Sequence, residues 1–288
     1  QVLHRLFSDP GFLAAAAKDD LTVDEQALLL WTRPARSFRS AKWSAADGAL
    51  MDELGDLIER TTPLGHLVVD EAQDLSAMQL RALGRRCRTG SATVLGDIAQ
   101  GTTPWSARSW REVLTHLGFE DGTVTELTLG FRVPREVLDY AARLLPSIAP
   151  DLAPPRSLRP GVGSLSVRHA PEPATGLTEA VRETVLETLS REGSIGVIVP
   201  DASVAAVSEA LSALEHRVLS QDSAEEHRLL VVPATLAKGL EYDHVIVVEP
   251  ADIVDAEPRG LARLYVVLTR AVTSLTVLHA RELPAQLR

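Results

Sequence analysis

Two carboxylates stand side by side at the end of an apolar run in His66-Leu67-Val68-Val69-Asp70-Glu71-Ala72-Gln73-Asp74. A strand of this kind delivers both to its carboxyl end. A Mg²⁺ ion bridging nucleotide phosphates can be held there, with the second carboxylate placed to polarise an attacking water. A strand running into a polar helix cap has the same composition. A second apolar run ends similarly at Val94-Leu95-Gly96-Asp97-Ile98-Ala99-Gln100. Glycine there lets the backbone come close to a ligand, and Gln100 is placed to sense a terminal phosphate or orient water. A plain Gly-Asp turn explains the segment equally well on its own. Gly96 follows Asp70 by 26 residues with one helix between them, which favours the functional reading.

The elements that must position these groups are legible in the apolar patterning. Residues 1 to 60 read as amphipathic helices. Thr22 with Glu25 makes a capping-box pattern, Ser44 with Asp47 a weaker one, and Leu50, Leu54, Leu57 and Ile58 form a stripe that core packing explains. From residue 65 short apolar runs alternate with helical stretches: 67–69, 93–95, 165–167, 195–199, 229–232, 245–248 and 275–278. Strands this uniformly apolar, spaced by helices, predict a parallel sheet covered on both faces, hence an α/β fold with ligands at the carboxyl ends of strands. Between Pro146 and Gly163, five prolines and two glycines resist both helix and central strand. The stretch reads as a linker, with a domain boundary near 147.

Composition narrows the setting. At 45% apolar and 24% charged residues, the 288-residue chain is that of an ordinary globular protein able to bury a core. No apolar run approaches the roughly 18 residues of a membrane helix, and the first residues show no secretion signal. The single cysteine, Cys87, excludes an internal disulfide and a cysteine-based zinc site. A cytoplasmic protein without membrane contact is expected. The net charge of −10, with only Lys18, Lys42 and Lys238 as lysines, favours a nucleotide or protein partner over extended nucleic acid, although a local Arg-rich groove remains compatible.

The order of segments resembles the UvrD-like superfamily 1 helicases. Asp70 to Asp74 is similar to their Walker B motif and Gly96 to Gln100 to motif III. Leu127-Thr128-Leu129-Gly130-Phe131-Arg132 is similar to motif IV, Lys238-Gly239-Leu240-Glu241-Tyr242-Asp243 to motif V, and Leu264 to Ala271 to motif VI. The resemblance implies ATP and Mg²⁺ as cofactors. It implies that Asp70 coordinates Mg²⁺ with Glu71 nearby as the catalytic carboxylate, and that Gln100 links the γ-phosphate to moving parts. Arg132 and Arg270 would reach the γ-phosphate, while Gly239 and Glu241 would lie against the nucleotide, Glu241 on the ribose. A guanidinium placed on the transferred phosphoryl group is worth roughly 10³ to 10⁵ in rate. The fold implied is two RecA-like parallel-sheet domains, the first incomplete. Residues 1–64 would be a helical return into the first domain, 65–146 its C-terminal part, and 147–288 the second domain.

Three departures refine the resemblance. No Gly-x-x-x-x-Gly-Lys-[Ser/Thr] loop occurs, so the phosphate cradle is missing, and the chain alone is expected neither to bind ATP tightly nor to hydrolyse it. The aromatic-rich segment that stacks bases after motif III is replaced by Gly101-Thr102-Thr103-Pro104-Trp105-Ser106, where Trp105 either stacks bases or packs beneath a loop. About 105 residues separate Arg132 from Lys238, too few for the large domain that DNA-unwinding relatives insert there. The last two, together with Pro233-Ala234-Thr235 where motif V usually opens with Thr-x-His, are similar to the HelD branch, whose partner is core RNA polymerase. A fragment of a DNA helicase is the second reading.

Overall fold

The computed structural model describes residues 1–59, 62–87, 89–170, 174–220 and 227–288. The chain divides into two compact units. The first comprises Gln1–Val68, Ala77–Thr93 and His116–Phe119, and the second Val69–Ser76, Val94–Thr115 and Glu120–Arg288. Position 147 therefore falls inside the second unit.

The first unit opens with four helices, α1 (Val2–Ser8), α2 (Pro10–Ala17), α3 (Val23–Leu29) and α4 (Ala45–Ile58). Their starts are determined locally. The Asp9 carboxylate accepts the Phe12 N–H at 3.0 Å ahead of α2. Thr22 with Glu25 on α3, and Ser44 with Asp47 on α4, close complete capping boxes that satisfy otherwise orphaned N–H groups. The apolar stripe of α4, read from the sequence as core, is not core. None of its residues is buried, and Leu57 and Ile58 are exposed. The reason is that α4 meets α5 (Ala77–Arg86) through charge. Arg85 and Arg86 both donate to Asp52, at 2.6 and 2.9 Å, and Arg85 also pairs with Glu53. Residue 60, where the helical expectation ends, lies outside the described residues. Strands β1 (Leu67–Val69) and β2 (Ala92–Val94) form a two-stranded sheet.

The second unit continues through α6 (Trp110–Leu117) as far as Thr115, then β3 (Leu129–Gly130), α7 (Arg135–Ala142), α8 (Leu145–Ile148) and β4 (Arg156–Ser157). A six-stranded sheet follows, made of β5 (Leu165–His169), β6 (Ile195–Val199), β7 (Arg217–Val218), β8 (Leu229–Pro233), β9 (Tyr242–Val248) and β10 (Ala271–His279). Its order is β5-β10-β9-β6-β8-β7, and every recorded pairing is parallel. Helices α9 (Ala174–Leu189), α10 (Val204–Ala210), α11 (Pro250–Asp255) and α12 (Gly260–Leu268) connect the strands.

The chain is thus α/β with parallel strands, as the apolar runs predict. The physical basis is burial on both faces. Ile195, Val197 and Val199 join Val181 and Val185 of α9 and Val207 of α10 in one core, while Ile198, Val232, Val245 and Val247 are equally buried on the other face. The proline-rich stretch behaves differently from a free linker. Its β4 pairs with β3, the Ser157 hydroxyl donates to Val133 O at 2.6 Å, and Arg135 N–H donates to Arg159 O at 3.1 Å. Proline excludes a central strand but not a two-residue pairing supported by side chains. Among the described residues no helix is long and apolar enough to cross a membrane.

Candidate functional site

The end of β1 turns sharply. Asp70 Oδ1 accepts the Glu71 N–H at 2.8 Å, and Glu71 sits at φ 51°, ψ 37°, in the left-handed region that non-glycine residues seldom enter. The turn throws Gln73 inward, where it is fully buried and satisfied at both ends. Its amide donates to Glu71 Oε2 at 2.6 Å, and its carbonyl accepts the Asp97 N–H at 3.0 Å. Gln73 therefore ties the two strand-end loops together. It also explains Gly96, where a Cβ would come within 2.3 Å of Gln73 Oε1. The close approach that the sequence suggested for a ligand is made by this side chain.

Beyond β2, the Asp97 carboxylate accepts the Ala99 N–H at 3.0 Å and the Gln100 amide at 2.8 Å. Gln100 Oε1 in turn accepts from the Arg270 guanidinium at 3.0 Å, and Gln100 O accepts from Lys238 Nζ at 2.8 Å. Lys238 also donates to Asp74 Oδ2 at 2.5 Å and stands 3.6 Å from Glu71 Oε2. One cluster of the second unit thus gathers Glu71, Gln73, Asp74, Asp97, Gln100, Lys238 and Arg270. Arg132 and Glu241 pair with each other, so each spends its charge on the other in this arrangement. Gly239, at φ +79°, shapes the bend between Lys238 and Glu241. The strand ends used are mixed. Asp70 and Glu71 follow the carboxyl end of β1, whereas Glu241 and Arg270 stand immediately before the amino ends of β9 and β10.

Arg270 is 4% exposed, which sets it apart from a solvated surface arginine. Burial pulls its pKa down and the neighbouring Arg132 pulls the same way, while Glu241, Glu71 and Asp97 oppose them. A guanidinium stays charged even so. The result is a fixed, poorly solvated positive charge with no direct carboxylate partner, held instead by Val266 O at 2.9 Å, the Thr269 hydroxyl at 3.2 Å and Gln100. Such a charge suits stabilisation of an anion arriving in the site. Tyr265 on α12, the helix that ends just before Arg270, has its pKa pushed up by burial, with Asp97 adding to the effect.

Sequence reasoning assigned no role to Gln73, Asp74, Lys238 or Arg259. Lys238 had two available signals, as one of three lysines in the chain and as the first residue of the motif V-like segment. Arg259 had none. It donates to Gly101 O at 3.1 Å and to Ser106 O, clamping the loop beyond Gln100 by its main chain. Trp105 on that loop is 57% exposed, so the alternative of a Trp packed beneath the loop is not realised. Its indole N–H donates to Asp74 O at 2.9 Å, which fixes the ring edge and leaves much of the ring in solvent.

No family model and no curated protein matches the chain. Among solved structures, the C-terminal domain of a possible DNA helicase from Lactobacillus plantarum WCFS1 is similar over 55% of this chain and 92% of that one, at 24% identity and a TM-score of 0.44. An arterivirus nonstructural protein 10 helicase in complex with DNA is similar over 76% of this chain and 41% of that one, at 16% identity and a TM-score of 0.38. A second structure of arterivirus nonstructural protein 10 gives 15% identity, a TM-score of 0.39 and coverage of 76% and 40%. The chain spans about two fifths of the length of these viral helicase structures.

Proposed function

We propose that the chain is the C-terminal part of an ATP-hydrolysing motor of the UvrD-like superfamily 1 helicase type, of the HelD branch, acting in the cytoplasm on core RNA polymerase. In this reading residues 65–146 and 147–288 are parts of two RecA-like domains, and residues 1–64 lead into the first. One contact carries the reading: Arg270 donates to Gln100, 170 residues away in sequence, within electrostatic reach of the Glu71 carboxylate. It joins residues from three of the five motif-like segments in the manner a nucleotide-responsive site requires, with anion-stabilising charge, amide sensor and general base together.

The residues fit MgATP in part. Asp70 and Glu71 offer carboxylates to a hard cation, and Asp74 Oδ1 is buried with no hydrogen-bond partner. Among the described residues no group of three or more His, Cys, Asp or Glu side chains could hold a metal ion by itself. Asp70 would therefore hold Mg²⁺ only together with phosphate oxygens and a phosphate-binding loop that this sequence lacks. Bound MgATP supplies the phosphoryl group and the metal's charge. With that group bound, Glu71 would take a proton from the attacking water, Gln100 would orient that water, and Arg270, with Arg132 once released from Glu241, would bear on the charge developing on the phosphoryl oxygens.

The test is ATP turnover by the full-length protein, with core RNA polymerase captured in parallel. Glu71→Gln is expected to lower kcat by at least about 10²-fold while polymerase capture persists. Arg270→Ala should lower kcat by about 10³-fold or more. The 288-residue chain alone should show no turnover. Unchanged turnover in Glu71→Gln would overturn the catalytic assignment, and failure to capture polymerase would overturn the branch assignment. The exposed Trp105 ring favours a second reading, a UvrD-like DNA helicase fragment, which single-strand translocation by the full-length protein would establish in its place.

A further inference from the structure

The chain carries ten more acidic than basic formal charges, yet residues 26 to 46 contain no acidic residue at all. Within that stretch Arg33, Arg36, Arg39 and Lys42 recur at three-residue intervals between Trp31, Phe38 and Trp43. All four cations are exposed, and among the described residues none takes part in an ion pair. Elsewhere in the first unit arginines are paired: Arg5 with Asp9, Arg81 with Glu53, and Arg85 and Arg86 with Asp52. Unpaired like charges this close repel one another, so the loop carries an electrostatic cost that an anion would relieve.

The loop is also held in shape. Trp31 packs against His4, Phe7 and Trp43 with ring centroids 5.8, 5.5 and 5.5 Å apart. The Trp31 N–H donates to Phe7 O at 2.9 Å, the Trp43 indole donates to Phe38 O at 3.1 Å, and Ser40 N–H donates to Ser37 O at 3.1 Å. His4 Nε2 is hydrogen-bonded to Ala35 O at 2.8 Å. A recess of about 380 Å³ lies against Trp31, Arg33, Ser40 and Lys42. Trp31 and Trp43 pack on each other, the Arg39 guanidinium lies 5.6 Å from the Phe38 ring centroid, and all four cations are exposed.

We propose that residues 31–43 form a binding surface for the phosphodiester backbone of a nucleic acid strand. The chemistry separates this partner from an acidic protein segment. Protein interfaces have an apolar centre depleted in lysine, whereas nucleic-acid interfaces are polar and strongly positive. Here the two tryptophans pack on each other, and the exposed residues are the four cations with Thr32, Pro34, Ser37 and Ser40. The regular spacing suits a polymer with one charge per repeat, read without regard to sequence. The bulk negative charge therefore does not describe this surface. The inference concerns the first unit and stands independently of the ATPase reading.

Fluorescence anisotropy of a labelled single-stranded oligothymidylate about 16 nucleotides long, titrated with the 288-residue chain at several salt concentrations, tests it. Four phosphate contacts predict a slope of log affinity against log salt near about −3. Changing Arg33, Arg36, Arg39 and Lys42 together to Ala should weaken binding at least tenfold at low salt and flatten the slope. Changing the three arginines to Lys should keep most of the binding. Circular dichroism confirms that each variant folds. Wild-type affinity in the four-alanine variant, or loss of binding on Trp105→Ala alone, would overturn the proposal. So would tighter binding of a labelled polyglutamate peptide than of the oligonucleotide, which would mark the loop as a contact for acidic protein.

Discussion

Glu71 and Glu249 are the two non-glycine positions with positive φ among the described residues, at 51° and 48°. Both stand just past an apolar strand, Glu71 after β1 and Glu249 after β9. From there they diverge. Glu249 is 4% exposed, and its carboxylate accepts the N–H groups of Ala280 at 3.0 Å and Arg281 at 3.3 Å, joining the end of β9 to the end of β10. The Glu71 side chain is 58% exposed, accepts the Gln73 amide, and faces Lys238. A left-handed non-glycine residue costs about 1 to 3 kcal/mol. At Glu249 part-buried hydrogen bonds to a buried carboxylate offset that strain. At Glu71 no comparable structural return is visible, so the conformation is what aims the carboxylate. A strand-end acid is made structural or chemical by the groups opposite it.

Replacing Glu249 by Ala should break the structural half of this comparison most severely. Two part-buried N–H groups lose their acceptor, a loss of about 3 kcal/mol. For a domain of this size that corresponds to a fall in Tm of roughly 6 to 12 °C. Urea denaturation followed by circular dichroism measures it, and a change below about 1 kcal/mol would show that the joint is not holding the strands. A middle case is Lys238→Met, which removes the ammonium shared by Asp74 and Glu71. The site is only partly desolvated, so a loss of about 1 to 2 kcal/mol is expected, larger at low salt. Insensitivity to salt would mean that Lys238 contributes packing alone.

Strand positions were readable because a doubly covered parallel strand must be apolar at every residue, as at Ile195–Val199. The capping boxes at Thr22 and Ser44 were readable because donor and acceptor lie three residues apart. The stripe on α4 misled because periodicity says which face is apolar and not whether anything covers it. Within the candidate site, Asp70, Glu71, Gln100 and Arg270 could be grouped from the order of segments. That Lys238 would reach Asp74, 164 residues away, depended on the path of the chain between β8 and β9, which no local pattern encodes.

A third way of holding a carboxylate sharpens the contrast. Hydrogen bonding from Arg86, and after it from Arg85, holds the Asp52 pKa down at about 2, against 3.8 for the free group. The folded value is the lower one, so this stabilisation is complete above pH 3.8 and is lost as pH falls toward 2. With the side chain 28% exposed, solvent screening limits it to about 1 kcal/mol. Stability measured between pH 5 and about 2.5 should fall more steeply in the wild type than in Asp52→Asn. Parallel curves would show that the guanidinium groups contribute no net stabilisation.

The smallest expected effect is the most discriminating, because it should have opposite signs at the two glutamates. Glycine adopts the left-handed region freely, so Glu71→Gly removes the strain while adding about 0.5 to 1 kcal/mol of backbone entropy to the unfolded chain. The lost Gln73 contact is part-buried, with the Glu71 side chain 58% exposed, so water entering from that side can take the carboxylate's place on the buried amide. The balance for Glu71→Gly is a gain of about 0.5 kcal/mol. Glu249→Gly relieves the same strain but forfeits the bonds to the Ala280 and Arg281 N–H groups, and should lose about 2 kcal/mol. Parallel urea titrations of the two variants decide the matter. A loss above about 1 kcal/mol in Glu71→Gly would mean that this carboxylate, like its counterpart, is retained for folding, and the strain would no longer mark a chemical role.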